Sequence, residues 1–182
     1  MRYHAQQQKM EIDMENSFHT SFHTPLGYMM ARADLDGLIA LDWQQAAFDE
    51  GDNSNDVSRE TSTQILDYLA GKRQNFTLPI SPKTASAALM KWLDTIASVP
   101  YGETVSYKEL AGLWGNDKAA RAAGSACQKN PIPIIIPCHR IIGTDGSFDK
   151  YSGGDALTPS APANIARKKA LLDLEAGRSL IA

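Results

Sequence analysis

The stretch Asn130-Pro131-Ile132-Pro133-Ile134-Ile135-Ile136-Pro137 runs straight into Cys138-His139-Arg140, and no other segment constrains the fold as much. It is stiff and apolar, and reads as a short buried strand that carries one thiol to a fixed place beside an imidazole. A cysteine reacts as thiolate, so its ordinary pKa of about 8.5 has to be lowered by a nearby base or positive charge. His139 is the adjacent base, but neighbours on a strand point to opposite faces. The two can meet directly only where the strand breaks; otherwise a water must bridge them. A carboxylate beyond His139 would fix its tautomer, and spacing alone does not choose that carboxylate. The bland alternatives are a structural buried cysteine and a satisfied core histidine.

A helical hairpin is expected just upstream. Ser106 followed by Glu109 is a capping box, so a helix opens there. Leu110, Ala111 and Leu113 supply its apolar side, and Gly115 is a natural stop. Asn116-Asp117 makes a short turn, with Asp117 able to cap a second helix from Lys118 to Cys127. The small side chains of that helix would let its backbone approach a groove, with Lys118 and Arg121 facing phosphate or the base stack. A plain helical hairpin in a core is the commoner meaning of such a pattern. A positioned thiol next to it points to nucleophilic chemistry on DNA.

The chain has 182 residues, enough for one domain or two small ones, and its 43% hydrophobic and 21% charged residues are those of a soluble globular protein. No apolar run approaches the ~20 residues of a membrane helix. The first residues lack the apolar core of a signal peptide. A cytoplasmic protein with a frayed leader over 1–16 is expected. Cys127 and Cys138 are its only cysteines, expected as free thiols, with a bridge between them the alternative. His19 and His23 are spaced like helix ligands but sit in strand-like surroundings, so neither metal nor cofactor is expected. Residues 1–82 hold 6 Lys/Arg against 12 Asp/Glu, whereas 83–182 hold 12 against 9. The thiol lies in the basic half, which permits DNA binding without establishing it.

Ser17–Thr24, Tyr28–Ala33 and Leu38–Trp43 read as an antiparallel meander with turns at Pro25-Leu26-Gly27 and Asp34–Gly37. An acidic loop covers Asp49 to Asp56, and Val57 to Leu69 has helical spacing ending at Gly71. Residues 72–83 look like a linker, dividing an N-terminal lobe (1–82) from a C-terminal one (83–182). Ala88, Leu89, Trp92, Leu93 and Ile96 mark the apolar face of a helix that stops at Val99-Pro100-Tyr101-Gly102. A Pro/Ala loop over 155–162 precedes a last amphipathic helix at about 163–176.

Several of these pieces together resemble one family. Asn130-Pro131, Ile134 to Arg140 and Tyr151-Ser152-Gly153-Gly154 are similar to the O6-alkylguanine-DNA alkyltransferases, also called methylated-DNA–protein-cysteine methyltransferases. The likeness continues through Val99–Gly102, Val105-Ser106-Tyr107 and Lys118–Ala122, and Thr24–Gly27 resembles the first strand turn of bacterial members. It is strong over about 92–154 and the last helix, weak over 17–43, and hardly present over 44–82. The resemblance implies an α+β fold: a ribonuclease H-like antiparallel sheet-plus-helix lobe, then a mostly helical, winged-helix-like lobe carrying a helix-turn-helix.

It also implies roles. Cys138 would accept the alkyl group from O6 of a guanine flipped out of duplex DNA. His139 would act as base through a water, oriented by Glu175, with Asp173 as the fallback. Asn130 would brace the backbone between the helix-turn-helix and the cysteine strand. Tyr107 would protonate the departing guanine and help rotate the phosphate, and Arg121 would fill the gap the base leaves. Ser152 would hydrogen-bond O6 and Tyr151 would wall the pocket; Lys118 and Arg140 join them as substrate or DNA contacts. The second hairpin helix would enter the minor groove. A monomer is expected, acting once on O6-alkylguanine, with O4-alkylthymine a second candidate lesion. The sequence departs from the family at Ala87, usually aromatic, at Phe148-Asp149-Lys150, and in the length of the 155–162 loop. Two other readings exist. A DNA-binding module that recognises alkylguanine without repair has relatives carrying tryptophan in place of Cys138. A Cys-His hydrolase leaves Tyr107, Arg121 and the hairpin without a task.

Overall fold

The structure is a computed structural model that describes residues 17–44, 53–83, 85–148, 150–152, 159–178 and 180. The expected leader, residues 49–52 of the acidic loop, Gly153-Gly154 and residues 155–158 of the 155–162 loop lie outside the described residues.

Strands β1 (Phe18–Thr24), β2 (Gly27–Ala33) and β3 (Leu38–Gln44) form an antiparallel meander in that order. Thr24 holds the first turn, its hydroxyl donating to the Gly27 carbonyl at 2.7 Å and accepting the Leu26 N–H at 3.1 Å. Asp34 holds the second by accepting the amides of Asp36 and Gly37 at 2.8 and 3.0 Å. Only glycine suits position 37, where φ is 153° and a Cβ would lie 2.6 Å from the Pro79 carbonyl oxygen. Met29, Ala31 and Ala33 alternate onto the buried face of β2. Helix α1 (Asp56–Leu69) covers the sheet with Ser58, Thr61, Ile65 and Tyr68, buried at spacings of three and four. Its start is a reciprocal cap between Asn55 and Ser58.

In the second half, α2 (Ala87–Ala97) buries Trp92, Leu93 and Ile96. The Trp92 indole stacks on Trp114 of α3 (Tyr107–Trp114) with ring centroids 4.6 Å apart. α3 opens on the expected Ser106–Glu109 capping box and closes at Gly115 with φ 106°. Its partner α4 (Ala120–Gln128) starts later than expected, with no side-chain cap. The Asn116 side chain takes the Lys118 N–H at 3.1 Å, which makes Lys118 a turn residue. Asp117 turns back onto Gly112 of α3 instead of capping α4. Two short strands, β4 (Val105–Ser106) and β5 (Ile141–Ile142), pair in parallel. α5 (Pro162–Glu175) ends the described fold, with Pro162 in its first turn and not in the preceding loop.

The buried strand expected before Cys138 does not form. Pro131, Pro133 and Pro137 have no amide hydrogen for a ladder, and the chain folds back on itself instead. Ile136 N–H bonds the Ile132 carbonyl at 2.9 Å, and Ile134 adopts a left-handed φ of 73°. That conformation costs a β-branched residue roughly 1–2 kcal/mol. Burial of Ile132, Ile134 and Ile136 offsets it. The same loop ties the halves together, because Leu41 N–H of β3 bonds the Pro131 carbonyl at 2.9 Å. One buried cluster runs from Met29, Leu41 and Ile65 to Leu110, Ile134 and Leu171. Among the described residues no helix is long and apolar enough to cross a membrane.

Candidate active site

The folded loop delivers Cys138 into a single 3-10 turn, Cys138–Arg140, in which Arg140 N–H bonds the Pro137 carbonyl at 2.9 Å. This turn lets adjacent residues serve different neighbours. Cys138 faces a cavity, while His139 and Arg140 meet α1 and α5. Asn130 sets the turn: its Nδ2 donates to the Ile136 carbonyl at 2.7 Å and its Oδ1 accepts the Ile132 N–H at 3.0 Å.

Behind the thiol lies a network of buried side chains. His139 Nε2 is 2.9 Å from Glu175 Oε1, and the Tyr68 hydroxyl donates to the same oxygen at 2.6 Å. Arg140 donates to both carboxylate oxygens, with its Nη2 2.8 Å from Oε1, and Gly102 N–H reaches Oε2 at 3.0 Å. Burial by itself would raise the Glu175 pKa, but hydrogen bonds from His139, Arg140 and Tyr68 outweigh it and hold the carboxyl well below the usual range. For His139 burial is the larger effect: it lowers the imidazole pKa despite the Glu175 hydrogen bond, so the ring is neutral at pH 7. An ionised carboxylate only accepts hydrogen bonds. The imidazole proton therefore sits on Nε2, and Nδ1, which has no hydrogen-bond partner among the described residues, carries the free lone pair. That places the basic atom on Nδ1.

Burial pushes the Cys138 thiol pKa up, and the Asn130 amide and the Lys168 charge pull it only part of the way back. At neutral pH it is a thiol, and reaction requires a base. Lys168 is itself buried on α5, its Nζ donating to the Ile141 carbonyl at 2.6 Å.

Cys138 lies on the wall of a cavity of about 670 Å³, lined also by Tyr107, Arg121, Gly124, Tyr151 and Ser152. That volume falls within the ~300–1,000 Å³ of small-molecule sites. Tyr151 and Ser152 are buried and Arg121 is exposed. Cys127 lines the same cavity, and both cysteines are free thiols.

The structure thus gathers Cys138, Tyr107, Arg121, Tyr151 and Ser152 round one cavity, with Asn130, His139 and Glu175 supporting it. Two expected DNA contacts are not brought there. Arg140 is buried, held by Glu175 and by the Val99 carbonyl at 2.6 Å, because the turn aims it into the interior. Lys118 is exposed in the hairpin turn and does not line the cavity. Asp173, the fallback carboxylate, pairs with Lys169 and Arg178 on the exposed side of α5. Tyr68 and Lys168 were missed. Lys168 is on one helical face with Asn164, Leu171 and Glu175, a spacing that would have flagged it. Tyr68, 107 residues before Glu175, carried no signal of its own.

A buried thiol, an imidazole–carboxylate pair behind it and a helical hairpin at the cavity edge make up a cysteine-dependent transfer protein. Comparison identifies which kind. The ribonuclease-like domain of 6-O-methylguanine DNA methyltransferases matches residues 18–82, and their DNA-binding domain matches 89–177. The match includes residues 44–82, where the sequence had shown hardly any likeness. The constitutive methylated-DNA–protein-cysteine methyltransferase of Bacillus subtilis is 31% identical over 159 residues, covering 83% of this chain and 96% of that one. The crystal structure of Mycobacterium tuberculosis O6-methylguanine methyltransferase superposes with a TM-score of 0.74 at 29% identity, covering 90% of this chain and 94% of that one. A Mycobacterium tuberculosis relative in complex with DNA gives 0.72 at 31% identity, covering 88% and 94%. The chain belongs to the methylated-DNA–protein-cysteine methyltransferase family.

Proposed function

We propose that this protein repairs DNA by taking the alkyl group of O6-alkylguanine in duplex DNA onto its own Cys138, one lesion per molecule. The observation that carries this is the placement of a buried nucleophile in a base-sized cavity beside α4, with the His139–Glu175 pair behind it. His139 Nδ1 takes the thiol proton through a bridging water. The thiolate attacks the alkyl carbon, and the carbon–oxygen bond breaks with its electron pair going to O6. Tyr107 protonates the departing guanine and is reprotonated from solvent, to which His139 returns its proton. One thiol hydrogen is exchanged for one alkyl group, and the products are guanine and a thioether. A thioether has no hydrolytic route back, so the chain acts once.

Reaching the cavity requires the base to leave the stack, at a cost of a few kcal/mol that is lower for a poorly paired alkylguanine. Arg121 fills the gap, Ser152 hydrogen-bonds O6 and Tyr151 walls the pocket. O4-alkylthymine is a second candidate lesion for the same cavity. Arg121→Ala is expected to slow transfer from duplex DNA roughly 10–100-fold, while leaving reaction with the free O6-methylguanosine nucleoside unchanged. Single-turnover rates on the two substrates check this.

The proposal itself is tested by weighing intact protein after incubation with duplex DNA containing O6-methylguanine. One methyl group is expected on wild-type Cys138, and none on Cys138→Ser. Binding without a gain in mass, or continued turnover, would overturn it. The first outcome would favour a lesion reader and the second a hydrolase.

A further inference from the structure

The N-terminal half supplies one side chain to the reactive network. We infer that Tyr68 is a positioning residue for transfer: its hydroxyl fixes Glu175 and reinforces the proton on His139 Nε2, leaving Nδ1 as the base. The inference rests on the function proposed above.

The geometry is specific. Tyr68 is fully buried in the last turns of α1, and its hydroxyl is 2.6 Å from Glu175 Oε1 and 3.4 Å from His139 Nε2. Because its hydrogen is directed at the carboxylate, the phenol turns a lone pair toward Nε2. A bare Nε2 would then face two sets of lone pairs, from Tyr68 and from Glu175. A protonated Nε2 faces two acceptors. The tautomer with the base lone pair on Nδ1 follows from that difference. The ring cannot swing away, being packed against Phe76 and set edge-on to Tyr101, with centroids 5.4 and 6.1 Å distant. Burial and the Glu175 charge push the phenol pKa far up, so it stays a donor at every working pH.

Tyr68 also draws Glu175 charge away from the imidazole. Glu175 and Lys168 face His139 from α5, Arg140 from the 3-10 turn and Tyr68 from α1, with Tyr101 beside the phenol. Lys168 and Arg140 both oppose a proton on His139, and Glu175 favours one. Removing the Tyr68 hydroxyl leaves more of the carboxylate charge on the imidazole, and the affinity of His139 for a second proton rises.

The test is Tyr68→Phe, which keeps the ring. Single-turnover transfer from an O6-methylguanine duplex, followed from about pH 5 to about pH 9, spans the titration of histidine. The variant is expected to have a plateau rate about tenfold lower, as for loss of one hydrogen bond to a charged group. Its acid limb moves to higher pH, whereas Tyr101→Phe leaves the limb in place. Nitrogen NMR of 15N-histidine protein without DNA reads the same claim independently of transfer. Wild-type His139 is expected to show a protonated Nε2 and an unprotonated Nδ1; in Tyr68→Phe the Nε2 proton stays with Glu175 and the second protonation moves to higher pH. A wild-type spectrum with Nδ1 protonated sinks the inference, whether or not Tyr68→Phe folds. So does a variant with wild-type rate, acid limb and spectrum. Failure of the wild type to transfer at all would count against the proposed function and leave the spectrum to judge Tyr68.

Discussion

Glu175→Gln is expected to destabilise the protein by about 3–5 kcal/mol, the usual penalty for leaving one partner of a buried ion pair uncompensated. Arg140 would be the orphan. It is buried, it gives donors to both Glu175 oxygens, and only its bond to the Val99 carbonyl would be unaffected. Urea unfolding should show a lower midpoint with the slope unchanged, and melting should fall on the order of 10 °C for a chain this size. The pH dependence carries the sign of the same network. The native carboxyl titrates below its unfolded value of about 4.3, so the unfolded chain takes up the proton first as pH falls through that region. Stability from Glu175 is therefore complete above about pH 4.3 and is lost toward lower pH. His139, whose pKa is lowered by burial, adds a loss that begins below about pH 6.5. The glutamine variant should retain the second decline and lack the first. An unchanged urea midpoint would mean that Arg140 finds another partner.

Asn130→Ala is expected to cost roughly 1.5–4.5 kcal/mol, because one buried backbone N–H loses its partner at about 1–3 kcal/mol and a carbonyl loses one of its two donors at about 0.5–1.5 kcal/mol. The two bonds are those of Asn130 to the Ile132 N–H at 3.0 Å, which is left unpaired, and to the Ile136 carbonyl at 2.7 Å, which keeps the Cys138 N–H. Their loss frees a loop that already holds Ile134 at a left-handed φ of 73°. The Cys138 turn, whose N–H bonds the Ile136 carbonyl at 2.8 Å, would loosen with it. The thiol also loses the amide that pulls its pKa down against burial, so it ionises less readily. The variant should unfold at lower urea and transfer methyl more slowly at every pH. Its pH–rate profile should rise at higher pH than that of the wild type. Normal stability in the variant would show that the loop is held by its proline backbone alone.

Local patterns proved readable where a few adjacent residues decide the outcome. The Ser106–Glu109 box, the Gly115 stop, the meander turns and the Trp92, Leu93 and Ile96 face of α2 all involve groups within a turn of each other, whereas Ala88 of the expected face is exposed. The 130–137 run was misjudged because β-branched composition suggests a strand, while a ladder also needs amide hydrogens that three prolines do not have. The sequence places α4 too early because Asp117 looks like a cap, whereas its side chain turns to Gly112 and Asn116 takes the Lys118 N–H. Arg140 read as a DNA contact since a basic residue beside the thiol suggests phosphate. Its burial against Glu175 depends on a helix that begins more than twenty residues later.

By itself the sequence determined the reactive element and the family it resembles, because Cys138, its proline-rich approach and the capped hairpin are contiguous and their chemistry is local. Only tertiary structure decided which nitrogen of His139 is basic, which carboxylate stands behind it, and that Tyr68 from the other half closes the network. Those outcomes depend on burial and on hydrogen bonds of 2.6 to 3.0 Å between distant segments, which arise only after α1 and α5 have packed round the turn. Hydrogen-bond direction and desolvation are properties of the assembled interior, and no spacing along the chain encodes them.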